Sequence, residues 1–475
     1  MYKFKVIGQA GSYFYHAHVG LDAESVTGAF IVYESEKARP RAGKTGQHGE
    51  ISTLVAGPYH YDEERTIILS EWWHNTADEV SAEILSPNFV EIPEPPSILI
   101  NGRTVYNGAP ASAADDINIL DPEAVLNKLD DPLSLVKSKV PHKCEGYTAL
   151  NLDPSKTYRV RVIGSNIYRT LKLAIADHEL TVMEVDGTLI KPRKVPYLEV
   201  APGQRFSLLI EPSNRRGDFA INTIRGWVEP EVDRSSNGLA VLRYNAPGTD
   251  QKQEVTTAQV PTNRFQFPQE DVPHWFWDDM EPTEEAGVEP YDNFGDPPSR
   301  TLFIDMKAGA IPSGEVRWFI NNVTFMDPPE TILTSIYNGQ RPLPNYDQVD
   351  PITGYDEKLG TYPIRKGEII DFVLQNSRQA DQPCRSHPWH MHGHSFYSLA
   401  YGEGSYDHEA DKDARTVSDP FLRDVLTLYP ADTVSQEETT GLPGNPQIPC
   451  GWTKIRFIAD NPGICKCLSF PFHYY

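Results

Sequence analysis

Short apolar runs recur along the whole chain, bounded by Gly, Pro, Asn and Asp, and this rhythm limits the fold more than any other feature. The clear ones are Gly28–Glu34, Arg65–Trp72, Ser97–Gly102, Thr157–Gly164, Arg205–Glu211 and Gly238–Tyr244, then Thr301–Met306, Val316–Phe325, Glu368–Asn376, Asp424–Leu428 and Trp452–Ala459. Runs of about four to eight residues, rich in β-branched and aromatic side chains, read as strands. The helical candidates, such as Asp121–Leu129, are short, and 40 Pro with 33 Gly make the chain loop-rich. The pattern predicts an all-β protein built of sandwiches in series.

A chain of 475 residues is long for one core and predicts two or three domains. Two segments read as boundaries. Arg39–Gln47 is polar and basic, with glycines, and Ala246–Arg300 is rich in Pro, Asp and Glu with aromatic punctuation at Trp275–Trp277. They divide the chain into residues 1–45, 60–250, an acidic Pro-rich connector over 251–299, and 300–475. The first piece is too small to bury a core of its own, so it reads as the remnant of a larger domain.

Composition excludes some partners. With 66 acidic against 43 basic residues the formal charge is −23, which argues against nucleic acid or an anionic membrane. No apolar run approaches the roughly 18–20 residues of a membrane span. Met1–Val6 reads as a strand and has no signal-peptide core. The sequon Asn322-Val-Thr324 bears on glycosylation if the chain is secreted. Nothing in the sequence sets an oligomeric state.

Two histidine clusters carry the chemistry. Near the C-terminus stands His387-Pro-Trp-His390-Met-His392-Gly-His394-Ser-Phe. On an extended strand His390, His392 and His394 share a face, and His387 enters from the Pro turn. Imidazole is a common ligand for copper and zinc, and the interleaved Trp389, Met391 and Phe396 argue against a solvated loop. Near the N-terminus, Gly11-Ser-Tyr-Phe-Tyr15-His16-Ala-His18-Val-Gly20 places His16 and His18 two apart on a strand of aromatic character. Such a pair alone is as readily a coincidence as a ligand pair; with the first cluster it points to one metal centre assembled from distant parts of the chain. His178 reads as a hydrogen-bonded structural residue. Asp278, Asp279, Glu284 and Glu285 read as a solvated acidic run.

The chain resembles the multicopper oxidases, of the ascorbate oxidase and laccase-like branch, over essentially its whole length. Gly11–Tyr33 is similar to the family's second copper motif. Leu69–His74, Leu99–Arg103, the run from Asp186 to Arg205 and Trp318–Phe325 match family landmarks, and His387–Phe396 matches the third copper motif almost letter for letter. The resemblance implies tandem cupredoxin-like Greek-key β-sandwiches: a remnant of domain 1, a whole domain 2, and a domain 3 lacking its last copper motif. It implies copper as cofactor, a small-molecule reductant and O2 as substrates, and a secreted protein. By motif, His387 is a type 1 ligand, His390 a type 2 ligand, and His392, His16 and His18 type 3 ligands, while His394 orients its neighbours through a hydrogen bond. Trp72 and Trp73 border the reductant pocket in this reading, and pack as core aromatics in the plainer one.

The chain departs from the family at both ends. The first copper motif is expected before Met1, and the fourth after Gly463, where the sequence reads Ile464-Cys-Lys-Cys-Leu-Ser-Phe-Pro-Phe-His473-Tyr-Tyr. Type 1 copper then lacks its thiolate and second histidine, since neither Cys465 nor Cys467 is flanked by His. His473 reads as a terminal residue outside the site. Cys465-Lys-Cys467 can be encoded by codons containing GTAAGT, a splice-donor sequence, so residues 465–475 are expected to be translated intron, and Met1 an internal methionine. Sequencing the transcript tests this.

Five cysteines cannot all pair within one chain. Cys384 and Cys450 form either a disulfide or two free thiols, and Cys144 has no evident partner. The function expected is oxidation of an ascorbate- or phenol-like reductant coupled to O2 reduction, with this chain itself inactive. The alternatives are a non-enzymatic copper-binding cupredoxin-like protein and a ferroxidase. Strand edges left open at Tyr2–Val6 and Gly28–Glu34 predict poor solubility.

Overall fold

The computed structural model describes residues 3–18, 20–40, 53–87, 89, 92–105, 146–211, 213–229, 232–245, 254–255, 259–274, 277, 279–284, 294–311, 316–324, 328–379, 384–431, 447–465 and 467–469. Asp121–Leu129, Cys144, Trp275, Asp278, Glu285, Phe325 and His473 lie outside them. The chain divides into two compact units, Met1–Val80 with Pro93–Asp271 and Thr283–Gly287, and Ser81–Ile92 with Val272–Pro282 and Val288–Tyr475.

The first unit is a sandwich of two six-stranded sheets. One runs, in spatial order, Thr188–Val195, Leu180–Val185, Arg205–Ile210, Tyr158–Gly164, Glu63–Trp72 and Ser97–Ile100. The other runs Leu198–Val200, Thr170–Ile175, Gly217–Gly226, Leu239–Tyr244, Tyr147–Leu152 and Glu254–Val255. Each sheet carries one parallel pair, Glu63–Trp72 with Tyr158–Gly164 and Tyr147–Leu152 with Leu239–Tyr244. Glu254–Val255, within the expected connector, pairs with Tyr147–Leu152 as a short edge strand.

Tyr158–Gly164 alternates apolar and charged residues, which by period alone predicts one wet face. Every residue of it is buried. The charged face is covered by a hairpin, Gly11–His16 paired antiparallel with Thr27–Val32, which packs against Tyr158–Gly164 and Arg205–Ile210. The contact is polar. Glu184 accepts the Ser12 amide at 2.6 Å and Arg159 Nη2 at 2.7 Å, and Arg161 Nη1 donates to Ser12 Oγ at 2.9 Å. Arg159 also pairs with Glu34 at 2.9 Å, and Arg161 with Glu64 at 2.6 Å. Gly11 makes the approach feasible, because a Cβ there would stand 2.5 Å from Glu184 Oε1 and from the Gly187 backbone.

The second unit has a six-stranded sheet, Val316–Ile320, Arg300–Ala310, Ile369–Gln379, Gln447–Ile458, Phe396–Gly402 and Leu422–Arg423, and a three-stranded one, Val425–Leu428, His387–Met391 and Cys467–Ser469. A core of Ile304, Ile370, Phe372, Trp389, Met391, Leu426 and Phe457 joins residues of both sheets. A disulfide links Cys384, just before His387–Met391, to Cys450, with Cα atoms 5.7 Å apart.

Two strand expectations are corrected. Lys3–Val6 forms no strand, having no ladder partner among the described residues. The run from Val316 ends at Ile320, because Asn321 and Asn322 take left-handed φ of 50° and 66° and reverse the chain so that Ile320 and Val323 exchange backbone hydrogen bonds.

Candidate metal centre

In the second unit, strand His387–Met391 pairs His387 with Leu428 and His390 with Val425 on one side, and His390 with Leu468 on the other. His387 is thus the first residue of the strand, not an entrant from a Pro turn. Alternation puts His387, Trp389 and Met391 on one face and His390 on the opposite one. Trp389 and Met391, each 4 % exposed, anchor the first face in the core.

The expected common face of His390, His392 and His394 does not form. The strand stops at Met391, and His392-Gly393 is a turn with Gly393 at φ +72°. A side chain at 393 would meet Asn461, whose Nδ2 donates to the Gly393 carbonyl at 3.0 Å. The turn nevertheless keeps the His390 and His392 rings 4.9 Å apart. His394 Nδ1 stands 3.4 Å from the His392 carbonyl, Nε2 lies 3.8 Å from Asp460 Oδ1, and the ring meets Phe457 edge-on.

Backbone carbonyls fix the orientation of two of the rings. His390 Nδ1 lies 2.8 Å from the Asp424 carbonyl, which can only accept, so Nδ1 carries the proton and Nε2 the lone pair. In the first unit His16 Nδ1 donates in the same way to the Ala17 carbonyl at 2.7 Å. Its ring stacks on Phe14 at 5.3 Å and lies 5.7 Å from the His18 ring. Burial, with the Arg385 guanidinium beside it, pushes His387 down to about 3, which keeps that imidazole in the neutral form a metal requires.

His178 is engaged at both nitrogens, Nδ1 with the Ala176 carbonyl at 2.7 Å and Nε2 with the Tyr244 hydroxyl at 3.0 Å. Trp73 is buried, its indole N–H donating to the Pro93 carbonyl at 2.7 Å, whereas Trp72 is exposed at the strand end. The residues that sequence reasoning missed are Asp424 and Asn461, which hold His390 through a backbone carbonyl and the Gly393 turn through a distant amide, and Glu24. Glu24 accepts the Trp73 amide at 2.7 Å, and burial pushes its carboxyl up to about 7 against that hydrogen bond.

Residues 63–247 match the multicopper oxidase family, and residues 325–450 match a second multicopper oxidase profile. The chain belongs to the multicopper oxidase family. L-ascorbate oxidase of Cucumis sativus is 28% identical over 484 residues, covering 98% of this chain and 70% of that protein. Laccase-like multicopper oxidase 1 of Thermothelomyces thermophilus is 27% identical over 485 residues, covering 96% and 69%. Among solved structures, Fet3p, a multicopper oxidase that functions in iron import, superposes with a TM-score of 0.62 at 20% identity over 97% of this chain and 69% of that one. The laccase from Botrytis aclada gives 0.60 at 18%, over 97% and 67%. At these identities the solved structures establish the cupredoxin-like fold.

This multicopper oxidase is therefore an oxidoreductase with copper as its cofactor. Imidazole suits copper as a ligand. Among the described residues no three His, Cys, Asp or Glu side chains are disposed to hold a metal. No helix among them is long and apolar enough to cross a membrane.

Proposed function

We propose that the chain couples one-electron oxidation of a small, ascorbate- or phenol-like reductant to reduction of O2 to water, with copper held by His16, His18, His387, His390 and His392. The observation that carries this reading is the anchored imidazole. His16 and His390 each spend Nδ1 on a backbone carbonyl, which fixes the ring, and His390 presents Nε2, within motifs that match the family's copper ligands. Copper supplies the reversible one-electron step when bound. The chain's own part is to hold imidazoles at set orientations, and to place His387 and His390 on opposite faces of one strand with Pro388 and Trp389 between them.

The disulfide between Cys384 and Cys450 supports a secreted protein, since such bonds persist in oxidising compartments. Copper content, the visible spectrum and oxygen uptake with ascorbate and with a phenol test the reading. Bound copper that is lost in His390→Ala supports the ligand assignment, and a chain that takes up no copper overturns it.

A further inference from the structure

The second unit contains a small cavity, of about 30 Å³, whose wall differs in chemistry from the rest of this acidic chain. Among the described residues the wall holds no carboxylate, and its formal charge is the Arg423 guanidinium, which lies 4.1 Å over the Trp277 ring. Thr427, 4 % exposed, and Thr453, 2 % exposed, both line the cavity. The hydroxyl oxygen of each is buried with no hydrogen-bond partner. A buried hydroxyl left in that state is costly and calls for a partner that the described side chains do not supply.

Much of the remaining wall is aromatic and cross-linked by ring contacts. Trp277 Nε1 donates to the Tyr429 hydroxyl at 2.9 Å. His274 lies flat on Tyr401 at 3.5 Å and edge-on to Tyr429 at 4.5 Å, from a left-handed backbone with φ 54°. Such a conformation persists where the surroundings over-determine it, and it clusters at ligand sites. Burial, and then the Arg423 charge, push His274 down to about 3, so it adds no second charge.

We propose that this cavity binds a chloride-sized monovalent anion, held by the Arg423 guanidinium and the hydroxyls of Thr427 and Thr453. The space exceeds the roughly 10–15 Å³ that one water needs and is far below the roughly 300 Å³ at which organic-ligand pockets begin. A guanidinium and two hydroxyls offer donors, and among the described residues no carboxylate in the wall attracts a cation. The site is independent of the copper reading.

Thermal unfolding of the intact chain is compared in sodium chloride and sodium gluconate at constant ionic strength. Chloride should raise the midpoint, with the folded-to-unfolded ratio growing about tenfold for each tenfold rise in chloride above its dissociation constant. Thr427→Val with Thr453→Val, similar in shape and without donors, should unfold cooperatively and lose the chloride response. Equal midpoints in the two salts, or an unchanged chloride response in the double variant, overturn the proposal. A wild-type crystal grown in bromide gives a reading that needs no variant. An anomalous peak between Arg423 and the two threonines supports the site, and water alone there overturns it.

Discussion

Replacing Glu184 by glutamine keeps the size of the side chain and removes the charge at the centre of the hairpin contact. Glu184 is fully buried. Burial pushes its carboxyl up, and the Arg159 and Arg161 charges with the Ser207 hydroxyl more than reverse this, bringing it from 4.5 to about 2. At roughly 1.36 kcal/mol per pH unit that fall corresponds to about 3 kcal/mol. Breaking one side of a buried ion pair costs about 3–5 kcal/mol. Arg159 keeps Glu34 and Arg161 keeps Glu64, which places the substitution at the low end of that range. Two routes thus agree on about 3 kcal/mol at pH 7. Because the folded-state value lies below the unfolded one, the stabilisation is complete above about pH 4.5 and is withdrawn as pH falls toward 2. Guanidinium denaturation of both proteins at several pH values reads the gap, and protection of the Gly11–His16 amides shows where it acts. A gap below about 1 kcal/mol at pH 7, or one unchanged at pH 3, would refute the view that a buried charge network pins the hairpin.

Three further outcomes are expected. Gly393→Ala should lower stability by at least ~1–2 kcal/mol, the cost of a left-handed L-residue, plus the clash with Asn461; an unchanged melting midpoint would count against the turn. Trp389→Ala should cost about 3–5 kcal/mol, whereas Trp389→Phe, which also removes a buried indole N–H without a partner, should cost much less; equal losses in denaturant titrations would contradict the packing account. Reducing the Cys384–Cys450 bond, which closes a separation of 66 residues, should cost about 4 kcal/mol by loop-closure entropy, read as a fall in the denaturation midpoint with dithiothreitol, and absent in Cys384→Ser.

The strands were legible where the signal was local. Arg205–Ile210 and Tyr158–Gly164 fall within a residue of the apolar runs that predict them, since turn residues and side-chain type suffice to end a strand. The two histidine clusters stood out for the same reason, as residue types at fixed spacing. The turn at His392-Gly393 was not, because it depends on Asn461, 68 residues away. Cys384 and Cys450 were legible as a possible pair, but whether they form a disulfide or two thiols depends on a Cα separation of 5.7 Å that spacing does not give.

Residue type and period, which are properties of neighbours in the chain, were enough for the family, the all-β class and the metal-binding character. Burial of both faces of Tyr158–Gly164 was decided in three dimensions, when the Gly11–Val32 hairpin brought Ser12 and Glu34 against Arg159 and Arg161. The same holds for which imidazole nitrogen is tied to the backbone, since that follows from the carbonyls of Ala17 and Asp424. Electrostatic pairing and hydrogen-bond direction act through space, at separations that no sequence window spans.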